Sequence, residues 1–232
     1  MELLIFISLF FVILVLIRIA LAFHTSPLQT PFINFTIGTL LVGLSRFFLF
    51  LSDKGIYHLE VVDMHLWWHL IFYMGMFCFI LGCIRLREIA QNTRTQTKLY
   101  EVIVVLCLLL SITIFFIAQP LEPLLSPLLV GSLFDKLGVH HLIAVILAII
   151  VGVYIYFIRK NWGSMLAVGV YPLILFLFHM GFQHLWELLT ESLKVIDVSQ
   201  ALGEQVEQFI VLPGVLFFIF GVMRIARNLP AK

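Results

Sequence analysis

Charged residues are scarce in this sequence. Of its 232 residues, 12% are Asp, Glu, Lys or Arg, whereas 62% are hydrophobic. Soluble domains carry roughly 25% charged residues, so this chain has too little polar surface to cover a water-soluble globule. The composition therefore excludes an ordinary soluble domain and predicts a protein whose side chains mostly face lipid. No basic patch is present, so we expect lipids and no nucleic acid among its partners.

Cysteine is also rare, and the last apolar run contains no lysine. The three cysteines, Cys78, Cys83 and Cys107, all fall in apolar stretches, which argues against a disulfide framework. A retinal protein needs a lysine in its last helix to form the Schiff base, and residues 209–225 contain none. These two absences exclude a disulfide-stabilised secreted fold and a rhodopsin.

Seven apolar segments are long enough to cross a bilayer, which takes about 20 mostly apolar residues in a helix. They predict an all-α protein, a polytopic seven-transmembrane-helix bundle that forms a single membrane domain over residues 1–232. We expect the first segment to be a retained helix, because acidic Glu2 precedes it where a signal peptide carries basic residues. The predicted spans are residues 3–23, 32–51, 64–84, 99–118, 139–158, 164–185 and 209–225.

The basic residues predict the orientation of these spans. If the N-terminus is outside, only Lys54, Lys136 and Lys194 fall on the outer side, and Arg46 lies within a span. Loops rich in Lys and Arg remain in the cytoplasm. We therefore expect a multi-pass protein of a bacterial inner or plasma membrane, with its N-terminus outside and its C-terminus in the cytoplasm. The ten basic residues on the cytoplasmic side are Arg18, Arg85, Arg87, Arg94, Lys98, Arg159, Lys160, Arg224, Arg227 and Lys232.

Histidines gather on the outer side of this topology. Seven of the eight lie there, and six of these seven open or close three predicted helices. Ionisable residues at such positions are costly and indicate a functional site. The six are His65 and His69 at the start of the third helix, His140 and His141 at the start of the fifth, and His179 and His184 at the end of the sixth.

The spacing of these residues favours metal ligation. His65 and His69 are four residues apart, so they share a helix face and suit two ligands of one metal. His184 is followed by Glu187 and then Glu191 at intervals of three and four residues, which adds carboxylates to the same line. The predicted metal ligands are His65, His69, His141, His184 and Glu187.

Three further residues are predicted to bind a cofactor. Arg46 is the only charged residue deep in a span, and it needs an anionic partner such as Asp63, Glu187, Glu191, a lipid phosphate or a cofactor carboxylate. His140 is about 100° from its neighbour on the helix, so only one of the two is expected to face the bundle. His179 is about 140° from His184, so the two cannot point to one place on a straight helix.

The identity of the ligand and the function stay open at this level. Imidazoles bind copper, zinc or iron, and two facing histidines can instead hold a b-type haem whose propionate pairs with Arg46. The first interpretation is a metal or haem protein for electron transfer or metal handling, with a redox or metal-delivering partner at the outer face. The second is a metal-dependent enzyme acting on a lipid-like substrate, with Glu187 or Glu191 as the catalytic base. The third is a metal-free, proton-linked transporter or sensor.

Overall fold

Apolar helices form all of the secondary structure in the part of the chain that the structure describes. The computed structural model describes residues 2–53, 64–91, 101–114, 116, 137–159 and 163–229, without some of the side chains near helix ends. Its elements are α1 (Glu2–Ala22), α2 (Gln29–Asp53), α3 (Met64–Ala90), α4 (Glu101–Ile114), α5 (Val139–Ile158), α6 (Gly163–Glu187), a π-helical turn (Leu188–Ser192) and α7 (Gln200–Arg227).

Six of these helices, all except α4, are long and apolar enough to cross a membrane. The all-helical, membrane-type architecture therefore agrees with the prediction, although the count of seven spans is matched at only six positions. Helix α4 lies within the fourth predicted span, residues 99–118, but its described part has fewer than 18 residues. Most of the remainder of that span lies outside the described residues, so a seventh membrane crossing stays a prediction.

Several helices extend beyond the predicted boundaries. The fifth predicted span, residues 139–158, coincides with α5, but α7 begins at Gln200 rather than at residue 209. The side chain of Ser199 caps α7 by accepting a hydrogen bond from the backbone N–H of Leu202, and this cap satisfies a backbone group that would otherwise lack a partner. The apolar run alone predicted too short a helix, because the polar residues after the cap are also helical.

The six long helices pack in a closed ring. Each packs against the next in the order α1, α2, α3, α5, α6 and α7, and α7 packs back against α1. Helix α4 contacts α3 through a hydrogen bond from Ser111 Oγ to Met74 Sδ, 3.1 Å long, while most of its large apolar side chains are exposed. Because α3 meets α5 directly, the three helices that carry the predicted histidine cluster, α3, α5 and α6, are consecutive in the ring.

Two glycines bring α2 and α3 into close contact. A methyl group added to Gly38 would lie 2.9 Å from the carbonyl oxygen of Gly75, and the reverse distance is also 2.9 Å. Helices in a bilayer associate largely through such van der Waals packing at small residues. Since α2 and α3 run in opposite directions, this crossing places Arg46, eight residues after Gly38, beside Trp68, seven residues before Gly75.

Candidate metal centre

Three consecutive helices of the ring bring three histidines and one glutamate together at one end of the bundle. His69 lies in the second turn of α3, His141 in the first turn of α5, and His184 and Glu187 in the last turn of α6. Their ligand atoms all lie within 4.8 Å of one another. We call these four residues the histidine–glutamate cluster, and the end of the bundle where they lie the cluster end.

The separations within the histidine–glutamate cluster match those of ligands around one metal ion. His69 Nε2 lies 3.3 Å from His184 Nδ1, and Glu187 Oε2 lies 2.7 Å from His184 Nδ1 and 3.0 Å from His141 Nδ1. His69 Nε2 is 4.0 Å from the same carboxylate oxygen. Ligands at about 2.0–2.1 Å from a tetrahedral zinc ion are about 3.3 Å apart. The four described residues can therefore hold a metal ion with small adjustments of their side chains.

All four members of the cluster are sealed from solvent. His69 and His184 are 0% exposed, His141 is 1% exposed and Glu187 is 3% exposed. Burying ionisable groups is costly unless they are paired or coordinate a metal. The burial also removes competing water, which strengthens any interaction between the cluster and a cation. The burial of the cluster is typical of a site that retains an ion.

Two histidine nitrogens of the cluster converge on one carboxylate oxygen. In the absence of a metal, Nδ1–H of His184 donates to Oε2 of Glu187, and Nδ1 of His141 lies 3.0 Å from the same oxygen. The single proton on His184 Nδ1 cannot also be given fully to His69 Nε2, 3.3 Å away. A cation among the four atoms accepts a lone pair from each of them, once the Nδ1 protons have been released.

A polar relay connects Arg46 to the histidine–glutamate cluster. Arg46 is 1% exposed, and its Nη2 donates to Oε1 of Gln183. The amide Nε2 of Gln183 then donates to Oε1 of Glu187 at 2.5 Å. Because this relay occupies Oε1, Oε2 of Glu187 is directed to the histidines. Gln183 thus orients that carboxylate from outside the ligand set, while its own amide oxygen is held by the guanidinium of Arg46.

The indole ring of Trp68 forms one wall of the site. It stacks against His69 at 3.9 Å and against His184 at 5.4 Å between ring centroids. On the same ring, the guanidinium Cζ of Arg46 lies 5.3 Å from the centroid, which is within the range of a cation–π interaction. Trp68 therefore restricts the rotation of two candidate ligands and of Arg46.

Glu191 lies beside the cluster and not within it. It is on the π-helical turn that follows α6, its side chain is 40% exposed, and its Oε2 lies 3.9 Å from Nε2 of His141. The structure thus places the two predicted catalytic carboxylates differently. Glu187 belongs to the buried ligand set, whereas Glu191 lies at the surface and approaches Nε2 of His141.

Besides Arg46 and Glu191, three predicted site residues are not among the four clustered ligands. His140 is buried and packs its ring 5.0 Å from that of His69, and its carbonyl oxygen accepts a hydrogen bond from the hydroxyl of Tyr73. His179 instead faces α7, where its ring packs against Phe217. The side chain of His65 lies outside the described residues, so its predicted role as a ligand stays a prediction.

Sequence reasoning did not identify Gln183 as part of the site. The interpretation of Arg46 considered only anionic partners, whereas its Nη2 donates to the neutral amide of Gln183. Asp63, one of the predicted anionic partners, lies outside the described residues. A signal for this residue was present, because Gln183 precedes Glu187 by four residues in an otherwise apolar helix and therefore shares its face.

Comparisons with protein-family models, curated proteins and solved structures found no match for this chain. The chemistry of the histidine–glutamate cluster therefore provides the basis for a functional proposal.

Proposed function

We propose that this protein is an integral membrane protein that binds one transition-metal ion at the outer end of its helix bundle, for metal handling or electron transfer. His69, His141, His184 and Glu187 are the proposed ligands. The observation that carries the proposal is the convergence of their four ligand atoms within 4.8 Å in a buried position. Three separate helices contribute, so the ion would also hold α3, α5 and α6 together.

The distribution of arginines supports an outer location for the site. Among the described residues, every arginine except Arg46 lies at the end of α1, α3, α5 or α7 that is opposite the cluster end. Basic residues favour the cytoplasmic side, and this preference supports an outer position for the histidine–glutamate cluster. The six residues are Arg18, Arg85, Arg87, Arg159, Arg224 and Arg227.

The ligand set favours zinc, copper(II) or iron(II) over softer or harder ions. Imidazoles with one carboxylate suit these borderline metals, whereas copper(I) prefers thiolates and thioethers, and magnesium and calcium prefer oxygen ligands. No cysteine belongs to the cluster. Which of the three metals binds in the cell depends on its supply as well as on these ligands.

A single ion fits this site better than a b-type haem. Two histidines that ligate a haem iron lie on opposite faces of a planar macrocycle. Here a third imidazole and a carboxylate lie between and beside the other two rings, with ligand atoms separated by 3.0 Å and 2.7 Å. These groups occupy the space that the macrocycle would need.

A held ion also fits better than metal-activated water. A catalytic zinc site keeps one coordination position open for water or substrate. In this cluster four protein ligands would fill the four positions of a tetrahedral ion, and all four are almost fully buried. We therefore favour metal handling or electron transfer over the hydrolysis of a lipid-like substrate.

Elemental analysis and an absorption spectrum of the purified protein test this proposal. We expect about one transition-metal ion per chain and no Soret band, because the four ligands form one site for a single ion. A Soret band would contradict the single-ion site and indicate haem. Protein that is folded and free of metal, and that takes up none when zinc, copper or iron is added, would favour the metal-free transporter or sensor.

A further inference from the structure

The histidine–glutamate cluster has no exposed ligand through which a metal ion could reach it directly. Each of the four ligands is at most 3% exposed. An ion from solution must therefore pass a residue that contacts both the solvent and the cluster. Among the described residues, Glu191 meets both conditions, since its side chain is 40% exposed and approaches His141.

His141 spans the distance between the buried and the exposed carboxylate. Its Nδ1 lies 3.0 Å from Oε2 of Glu187, and its Nε2 lies 3.9 Å from Oε2 of Glu191. The second distance is too long for a hydrogen bond. Two ligands of one tetrahedral ion, each at about 2.0–2.2 Å from it, are separated by roughly 3.3–3.6 Å, so a movement of a few tenths of an ångström would bring these two atoms to that separation. The space between Nε2 and Glu191 therefore suits a cation held briefly by both.

The backbone that carries Glu191 differs from the helix before it. Residues Leu188–Ser192 form a π-helical turn that ends with a hydrogen bond from Leu193 N to Leu188 O of 2.9 Å. Such turns are uncommon and are frequent at functional sites. Here the turn ends α6 directly after the ligand Glu187, so a shift of Glu191 does not require α6 itself to move.

A glycine at the start of α5 holds this turn over His141. Gly138 has a φ of 57°, and a methyl group on it would lie 2.5 Å from Ser192 Cβ and 2.7 Å from a side-chain carbon of Leu188. Only glycine adopts this backbone conformation readily and permits so close an approach. The contact keeps the π-helical turn, and with it Glu191, against the first turn of α5.

We propose that Glu191 and Nε2 of His141 form the loading point at which divalent transition-metal ions from the outer solution are exchanged with the buried cluster. This inference rests on the proposed function. The exposed carboxylate of Glu191 captures the hydrated ion. His141, which is itself one of the four ligands, then transfers the ion to the other three. Glu191 therefore sets the rates of loading and release more than the affinity, because it is not one of the final ligands.

Metal exchange kinetics of the full chain test this role. Purified, metal-stripped protein is mixed with Zn²⁺ or Co²⁺ in a stopped-flow instrument, and release is followed after addition of excess chelator. For Glu191→Gln we expect both rates to fall about tenfold, in the range that electrostatic attraction contributes to association, with Kd unchanged within about threefold. Glu191→Asp keeps the carboxylate at a shorter reach, and we expect its rates to be intermediate.

Asp197→Asn provides the matched control, because Asp197 is an exposed acid on the same connection and is absent from the cluster. Unchanged rates in Glu191→Gln would overturn the loading point while leaving the metal site intact. Weaker affinity with faster release would also overturn it, since Glu191 would then be a ligand. If the wild-type chain takes up neither ion, the proposed function itself fails, and the inference fails with it.

Discussion

Replacing His184 with alanine is expected to abolish stoichiometric metal binding, whereas replacing His179 with alanine leaves it unchanged. His184 Nδ1 lies close to two of the other three ligands, at 2.7 Å from Glu187 Oε2 and 3.3 Å from His69 Nε2. Loss of an orienting partner outside a ligand set typically costs 10–100-fold in affinity. Loss of a ligand itself costs more, and we expect a reduction on the order of 10³-fold.

His179 is a closely matched control for this variant. It lies on the same helix, five residues earlier, and is packed against Phe217 of α7 instead of the cluster. Both variants are measured by titration with Zn²⁺ or Co²⁺ and by elemental analysis, with helical content and size-exclusion profile as checks of folding. Equal metal content in a folded His184→Ala protein would remove His184 from the ligand set. Loss of metal in His179→Ala alone would place the site on the other side of α6.

Removing the charge of either Arg46 or Glu187 in the metal-free protein is expected to destabilise the bundle strongly. Arg46 and Glu187 are 1% and 3% exposed, and Gln183 connects them. Arg46 and Glu187 are joined through Gln183 and not by a direct ion pair, and leaving a buried hydrogen-bonding group without its partner costs about 1–3 kcal/mol. We expect Arg46→Met and Glu187→Gln each to lower the free energy of unfolding by about 2 kcal/mol.

The double variant distinguishes this coupling from two independent effects. If the two charges stabilise each other through Gln183, Arg46→Met combined with Glu187→Gln should cost about as much as either single change. The free energy of unfolding is measured in detergent with a chelator present, so that metal binding does not contribute. Additive losses from the two changes would contradict the relay, and Arg46 would then serve another group.

The sequence predicted where the site lies better than it predicted how the site is built. Because consecutive spans alternate in direction, the starts of α3 and α5 and the end of α6 were expected at the same end of the bundle. His69, His141 and His184 were therefore predicted to lie on one side of the membrane and to be metal ligands. Their convergence also requires α3 to pack directly against α5, and the sequence could not show that α4 lies outside the contact between them. Hydrophobicity determines which segments enter a membrane but not their order in the ring.

The sequence also does not determine the contact between Arg46 and Gln183, because that contact depends on how the helices pack. The burial of Arg46 could be predicted from its position in an apolar span, since such an arginine is costly and needs compensation. The hydrogen bond to Gln183 depends on α2 and α6 presenting those two side chains to the interior at the same height. Helix periodicity does not determine the relative height of two helices that are distant in the sequence.

X-ray absorption spectroscopy of the metal-loaded protein tests the proposed metal centre most directly. We expect a coordination shell of about four nitrogen and oxygen atoms at about 2.0–2.2 Å, with scattering from three imidazole rings and no sulfur at about 2.3 Å. In His184→Ala the imidazole scattering should be lost together with the metal, while His179→Ala should give the wild-type spectrum. A sulfur shell, a shell of oxygen alone, or a wild-type protein that retains no metal would contradict a centre built from three histidines and one glutamate.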